Sequence, residues 1–235
     1  SDLYWDVYNP ERWEMYPNMK NKKDYGWRSY KKRLAIANHE LTLIRNIGIK
    51  KRKELHHLGI FKWKNIRKGF VDDNIYNIIK INKMKRKNIF NLPEVFPFDK
   101  TIKKFFVDFE TVNDLSVPGE SNYNNSIIYI IGCGHLNEIS NEWEFKTFKA
   151  RSFNSGSEKK IILDWYKYMN SFKVQYEVLH WTNAEKTFLN KAIERSRIRN
   201  ISGIVFKDLY KTFIDNNIVV KGSFSYKLKD IAGAL

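Results

Sequence analysis

The chain has 235 residues, with 42 Lys and Arg against 26 Asp and Glu and a formal net charge of +16. That length fits one or two domains with a sizeable core, and that charge points to a polyanion such as nucleic acid or to a surface charged for solubility. The single cysteine, Cys133, leaves no internal disulfide or zinc cluster within these residues, no apolar run has the length of a membrane helix, and no signal peptide is visible, as expected of an intracellular, reducing compartment.

Residues 1–98 read as a small, mostly helical, basic region. Trp5, Trp13 and Trp27 with Tyr4, Tyr8, Tyr16, Tyr25 and Tyr30 are interleaved with Lys and Arg. Such aromatics either build a small core or stack on bases. Tyr16-Pro17-Asn18-Met19-Lys20-Asn21, followed by Trp27 and Lys31, is similar to a segment in nuclease-like proteins of large DNA viruses.

Residues 40–68 read as helix, tight turn, helix. Glu40 to Ile49 leads into Lys50-Lys51-Arg52-Lys53-Glu54-Leu55 and then Leu58-Gly59-Ile60. Gly48 is expected to supply a positive-φ position, and Asn46 tolerates one. Backbone N–H groups at such a helix start can hold a phosphate, with the four basic residues 50–53 adding charge. An ordinary αα-hairpin with a solvated basic face is the alternative. The segment resembles a helix-hairpin-helix module, which usually has Gly at both turn positions, so Asn46 departs from the pattern. The resemblance makes Asn46, Gly48, Lys50, Lys51 and Arg52 nucleic-acid-binding residues. A basic connection, Lys83-Met84-Lys85-Arg86-Lys87-Asn88 with Pro93 and Pro97, closes the region.

Residues 99–235 read as α/β. Phe105-Phe106-Val107-Asp108-Phe109-Glu110-Thr111 is a buried strand carrying two carboxylates. At positions i and i+2 they share one face. Like charges side by side repel, whereas Mg²⁺ or Mn²⁺ prefers such hard oxygen ligands; a strand end with both acids solvated is the other reading. A loop, 113–125, reads as a flap beside this strand. Ile127 to Gly132 is nearly all apolar, as in a strand buried on both faces, and Trp143 to Phe148 alternates, as in a half-exposed one. Ser157 is expected to cap a helix through Ile161, Ile162, Trp165 and Met169. Strand Tyr176 to His180, a helix from about Asn183 to Ile193, strand Ile204 to Phe206 and a helix to about Ile214 follow. Cys133 is expected as a small buried strand residue. This order implies one central sheet with the acids on its first, central strand.

The motifs in that order resemble the DEDD exonucleases, the superfamily of DnaQ-type proofreading domains. Asp108-Phe109-Glu110-Thr111 matches the family's first motif. His180-Trp181-Thr182-Asn183-Ala184-Glu185 matches the second, with Glu in place of Asp. The Glu form is similar to the YprB-type domains attached to predicted RecB-family nucleases. Asp208-Leu209-Tyr210 and Ser223-Phe224-Ser225-Tyr226-Lys227-Leu228-Lys229 match two further features of that subgroup, and a helix-hairpin-helix precedes the nuclease domain there too.

The resemblance implies a ribonuclease H-like mixed sheet flanked by helices, and a 3′–5′ exonuclease acting on DNA or RNA at a single-stranded end. Asp108, Glu110 and Glu185 would be the catalytic metal ligands, holding two Mg²⁺ or Mn²⁺ ions about 4 Å apart. One ion activates a water and the other stabilises the leaving 3′ oxygen. Thr111, His180 and Asp208 would support the site, although His180 also reads as a satisfied strand-end histidine and the family does not require Asp208 as a ligand, and Lys227 and Lys229 would touch nucleic acid. The family's fourth carboxylate lies on a helix after the Leu-Lys run, so the resemblance implies a fragment of a longer protein, expected to cleave weakly or not at all while retaining affinity for single strands. Asp230 offers a Tyr-x-x-x-Asp form of that motif, against the plainer reading of a solvated helix residue. An inert or scaffolding nucleic-acid-binding module and a ribonuclease H-like endonuclease are the competing functions.

Overall fold

The computed structural model describes residues 17–20, 25–85, 99, 101–112 and 126–235. The aromatics before residue 17, the connection from Arg86 to Phe98 and the loop 113–125 lie outside the described residues. The chain forms two compact units, a first that joins Ser1–Phe96 to Phe213–Leu235 and a second, Pro97–Thr212. The sequence boundary at residues 98 and 99 falls close to the first division. Residues 213–235, read from the sequence as part of the nuclease domain, group with the N-terminal region.

The first unit is helical among its described residues, with α1 at Arg28–Ala37, α2 at Ile49–His57 and α3 at Asp73–Lys83. Buried Leu41, Ile44, Ile47, Leu55, Trp63 and Ile66 make its core, joined by Ile75, Ile78 and Ile79 from the apolar face of α3. Residues 222–226 are held to this core. Asn82 Nδ2 donates to the Ser223 carbonyl at 3.0 Å, the Gly222 amide donates to Asn82 Oδ1 at 2.9 Å, and the Arg45 amide donates to the Phe224 carbonyl at 3.0 Å. Trp27 and Tyr30, whose rings fit either core or stacking by sequence, are exposed.

The second unit is a five-stranded mixed sheet with strands β1 Lys103–Val112, β2 Ile127–Asn137, β3 Glu142–Lys149, β4 Tyr176–His180 and β5 Val205–Asp208. Their spatial order is β3-β2-β1-β4-β5, so β1 is central. β1 runs antiparallel to β2 and parallel to β4, and β5 is parallel to β4. This α/β architecture, with helices α4 Ser155–Asn170, α5 Ala184–Arg195 and α6 Leu209–Asp215, is compatible with a ribonuclease H-like fold.

Alternation along β1 sends Phe105, Val107 and Phe109 to one face, where they meet Ile161, Ile162, Trp165 and Met169 of α4 and Leu189 and Ala192 of α5. Trp165 is fully buried, its ring edge-on to Phe109 with centroids 5.5 Å apart. Asn154, not Ser157, caps α4: its Oδ1 accepts the Ser157 amide at 2.9 Å. The cap sits one turn earlier because the helix starts at Ser155, which makes Ser157 its third residue. Glu158, in the first turn of α4, takes a two-pronged contact from Arg195 at 2.6 and 3.1 Å and accepts the Ile128 amide at 2.8 Å. That buried, charge-assisted set ties α4, α5 and β2 together. Among the described residues no helix is long and apolar enough to cross a membrane.

Candidate active site

Asp108 and Glu110 lie toward the C-terminal end of β1, on the face opposite the helices. Their strand neighbours on β2 are Gly132 and Ile130. Immediately after Glu110 the ladder slips: Glu110 pairs with Ile130 but Thr111 with Ile128, so Tyr129 is the extra residue of a β-bulge. Bulges bend a strand and re-aim its side chains, and this one falls at the motif. Thr111 is the first residue past it.

Glu185 reaches the site from α5. β4 ends at His180, the turn passes through Thr182 at φ +70°, and α5 starts at Ala184. Glu185 is therefore in the first turn of α5, where a negative charge suits the helix dipole. His180 Nδ1 lies 3.3 Å from Glu185 Oε2, with both side chains buried. His180 thus fixes one oxygen of the carboxylate five residues after it.

Asp208 holds the same turn from the neighbouring strand. Its register partner on β4 is His180, and its Oδ1 accepts the Thr182 amide at 3.0 Å and the Lys211 amide at 3.3 Å. One carboxylate thereby secures the left-handed turn before α5 and the first turn of α6. Its observed role is to position the segment that carries Glu185.

The acids share a field. The Asp108 carboxyl is held above its ordinary range, first by partial loss of water around it, then by the charges of Glu110 and Glu185. Two carboxylates, one from the same strand and one from a separate sequence motif, therefore bear on Asp108 at the end of the central strand, where ligands of open α/β sheets bind. Oxygen-only donors under mutual repulsion fit a hard divalent cation by chemistry. Among the described residues no group of three or more His, Cys, Asp or Glu is placed closely enough to hold a metal ion.

Asp230, Lys227 and Lys229 belong to the other compact unit. There Asp230 accepts a hydrogen bond from Ser225 Oγ at the start of the short helix Leu228–Ala232. Lys227 and Lys229 are exposed.

The hairpin differs from its sequence pattern in three respects. Its first arm is a 3-10 turn, Leu41–Leu43, rather than an α-helix. The positive φ falls on Asn46, at +61°, while Gly48 is extended at φ −87° and ψ −174°. Arg52 turns inward: its Nε meets Glu40 Oε1 at 2.7 Å with both side chains 1% exposed. A guanidinium sealed against a carboxylate is part of the core and presents nothing to a phosphate. The phosphate-facing candidates that remain at the α2 start are the exposed Lys50 and the partly exposed Lys51, the latter 3.2 Å from Glu54. Gly48 caps α2 without a side-chain hydrogen bond.

Two features had no counterpart in the sequence reading. Lys20, Arg28 and Lys227 form a cationic cluster in the first unit, where the Lys20 ammonium is held below its ordinary range by desolvation and then by Lys227 and Arg28. Trp143 and Phe145 of β3 stand exposed beside the carboxylates, and Phe148 on the opposite face enters the core. A strand with aromatics on both faces gives no sign of which face is buried. No family model, curated protein or solved structure matches the chain.

Proposed function

We propose that this chain belongs to a metal-dependent nuclease related to the DEDD exonucleases, trimming single-stranded DNA or RNA from its 3′ end in a reducing compartment. The observation that carries this reading is the placement of Asp108 and Glu110 on one face of the central strand, with Glu185 held by His180 in the first turn of α5; loss of water first, then the charges of Glu110 and Glu185, raise the Asp108 carboxyl. Such a trio at the mouth of a sheet costs the fold stability unless cations neutralise it.

Asp108, Glu110 and Glu185 would hold Mg²⁺ or Mn²⁺, which when bound supplies an activated water and neutralises charge on the phosphate. His180 keeps Glu185 aimed through its 3.3 Å contact. Asp208 keeps the turn before α5 in place. The basic first unit retains the polyanion, with Lys50, Lys51, Lys227 and Lys229 as backbone contacts.

The test is incubation with Mn²⁺ and 5′-labelled single strands of DNA and RNA. A ladder of progressively shorter labelled products is expected, slowed more than about a hundredfold in Asp108→Asn. Cleavage that persists in Asp108→Asn would place the chemistry elsewhere, and internal cuts would favour an endonuclease. A second reading, retention of nucleic acid without cleavage, is favoured by one observation: the unit that joins Ser1–Phe96 to Phe213–Leu235 holds 25 Lys and Arg against 12 Asp and Glu. Tight binding with intact substrate in Mn²⁺ would select it.

A further inference from the structure

The open face of β1, β2 and β3 carries an arrangement that neither the core nor the carboxylates use. Phe145 is 72% exposed, Trp143 64% and Phe106 37%. They meet across β2 because that strand has no side chain on this face at Gly132 and Gly134. A methyl group on Gly132 would come within 3.1 Å of Phe145 Cζ, and one on Gly134 within 3.4 Å of Phe145 Cδ2. The Phe145 ring therefore lies down on the β2 backbone and offers its other side to solvent. Phe106 and Trp143 close the group, edge to face with centroids 5.1 Å apart.

The register ties this surface to the acids. Phe145, Gly134 and Phe106 form one cross-strand row, and Thr147, Gly132 and Asp108 form the next. Lys149, Ile130 and Glu110 form the third. Residues paired across a sheet share a face. Phe145 and Phe106 are thus one pleat step, roughly 7 Å along the strand, from Asp108, and Trp143, paired with Leu136, is one step further out. Exposed Lys149 stands in the row of Glu110.

We propose that this face is a stacking platform on which bases of a single-stranded polynucleotide lie as the strand enters the carboxylate site. The inference rests on the nuclease reading for its direction of travel, but not for the binding itself. Flat rings over a glycine floor suit any base, because every base has a π-face. Lys149 supplies a cation for the phosphate beside them. Pro97–Thr212 holds 17 Lys and Arg against 14 Asp and Glu, so it has little net charge with which to hold a polyanion. Affinity gained on this unit comes from stacking, and strand selection comes from the need for unpaired bases.

The test uses the full chain in EDTA, where no cleavage occurs, and measures anisotropy of labelled oligo(dT) and of an abasic oligomer of equal length. Phe145→Ala and Trp143→Ala should each weaken oligo(dT) binding about fivefold or more, with the abasic oligomer unchanged and with Phe145→Trp restoring affinity. Both rings are exposed, so melting temperatures should hold. Equal affinity of Phe145→Ala and the parent chain for oligo(dT) overturns the platform, as does an equal loss for both oligomers. A concentration-dependent dimer that Phe145→Ala dissolves also overturns it, assigning the face to a second copy. Base-dependent binding without any Mn²⁺ cleavage leaves the platform standing and removes the nuclease reading. Cleavage lost in Asp108→Asn with base-independent binding does the reverse.

Discussion

At the scale of single residues, the Asp108 carboxyl works against the fold it sits in. Its pKa is raised above the ordinary 3.8, so between 3.8 and the raised value the folded chain holds a proton that the unfolded chain has released. Stability therefore falls as pH rises from 3.8 through the raised value and stays lower at neutrality. Asp108→Asn should melt higher than the parent chain at pH 7, with the gap closing below about pH 4. Mn²⁺ should raise the melting temperature of the parent chain and leave Asp108→Asn nearly unmoved. Identical melting of the two proteins at pH 7 would mean that the acids do not feel one another. Arg52 gives the opposite contrast. Removing one partner of a buried ion pair costs about 3–5 kcal/mol, so Arg52→Ala should destabilise the first unit. Lys50→Ala should instead weaken single-strand binding and lower its salt slope by about 0.7, with no change in melting. Cys133 behaves as a core atom: burial pushes its thiol up to about 11. It should resist alkylation at pH 8 until the chain is unfolded in denaturant.

Among the elements, strands set by local apolar runs were the easiest to read. β4 begins at Tyr176 and ends at His180 as the pattern indicates, and β1, β2 and β3 extend the expected runs at their ends. The pairing of Asp108 with Glu110 on one face follows from the two-residue period alone. What the sequence hid depends on distant contacts. Trp143, Phe145 and Phe148 put aromatics on both faces of a half-exposed strand, but only Phe148 of β3 is buried, because α4 and α5 pack on the face it shares with Ile131. Arg52 looks like one more cation in a run of four until Glu40, twelve residues away, is found against it. Residues 222–226 lie close in sequence to β5 and α6, yet they dock on Arg45 and Asn82, and no local pattern signals that choice. The turn before α5 can be tested at the same scale. Losing a side-chain cap typically costs about 1 kcal/mol, so Asp208→Ala should speed hydrogen exchange at the Thr182 and Lys211 amides roughly fivefold. Asp208→Asn, which keeps an acceptor, should change it less. Unchanged exchange in Asp208→Ala would mean that the turn is held by other contacts.

For the whole molecule, the charge is divided unevenly between the two units. The unit that joins Ser1–Phe96 to Phe213–Leu235 holds 25 Lys and Arg against 12 Asp and Glu, whereas Pro97–Thr212 holds 17 against 14. Nearly all of the net positive charge thus resides apart from the carboxylates. That separation has a physical logic: cations crowded beside Asp108 and Glu110 would pair with them and compete with a metal, whereas cations on another unit can hold a phosphate backbone. The cluster of Lys20, Arg28 and Lys227 shows the cost of the crowding, since like charges and desolvation push the Lys20 ammonium down. A bound polyanion would relieve that repulsion. Electrostatic affinity should therefore be a property of the first unit. In EDTA, replacing Lys50 and Lys227 together by Gln should lower the slope of log K against log salt for a single strand by about 1.4, from roughly 0.7 per lost phosphate contact. Replacing Lys160 of the second unit by Gln should leave the slope unchanged, because its ammonium is exposed and already 2.5 Å from Asp164. Equal slopes for all three proteins would show that the excess charge serves solubility, and the sheet unit would then have to bind nucleic acid unaided.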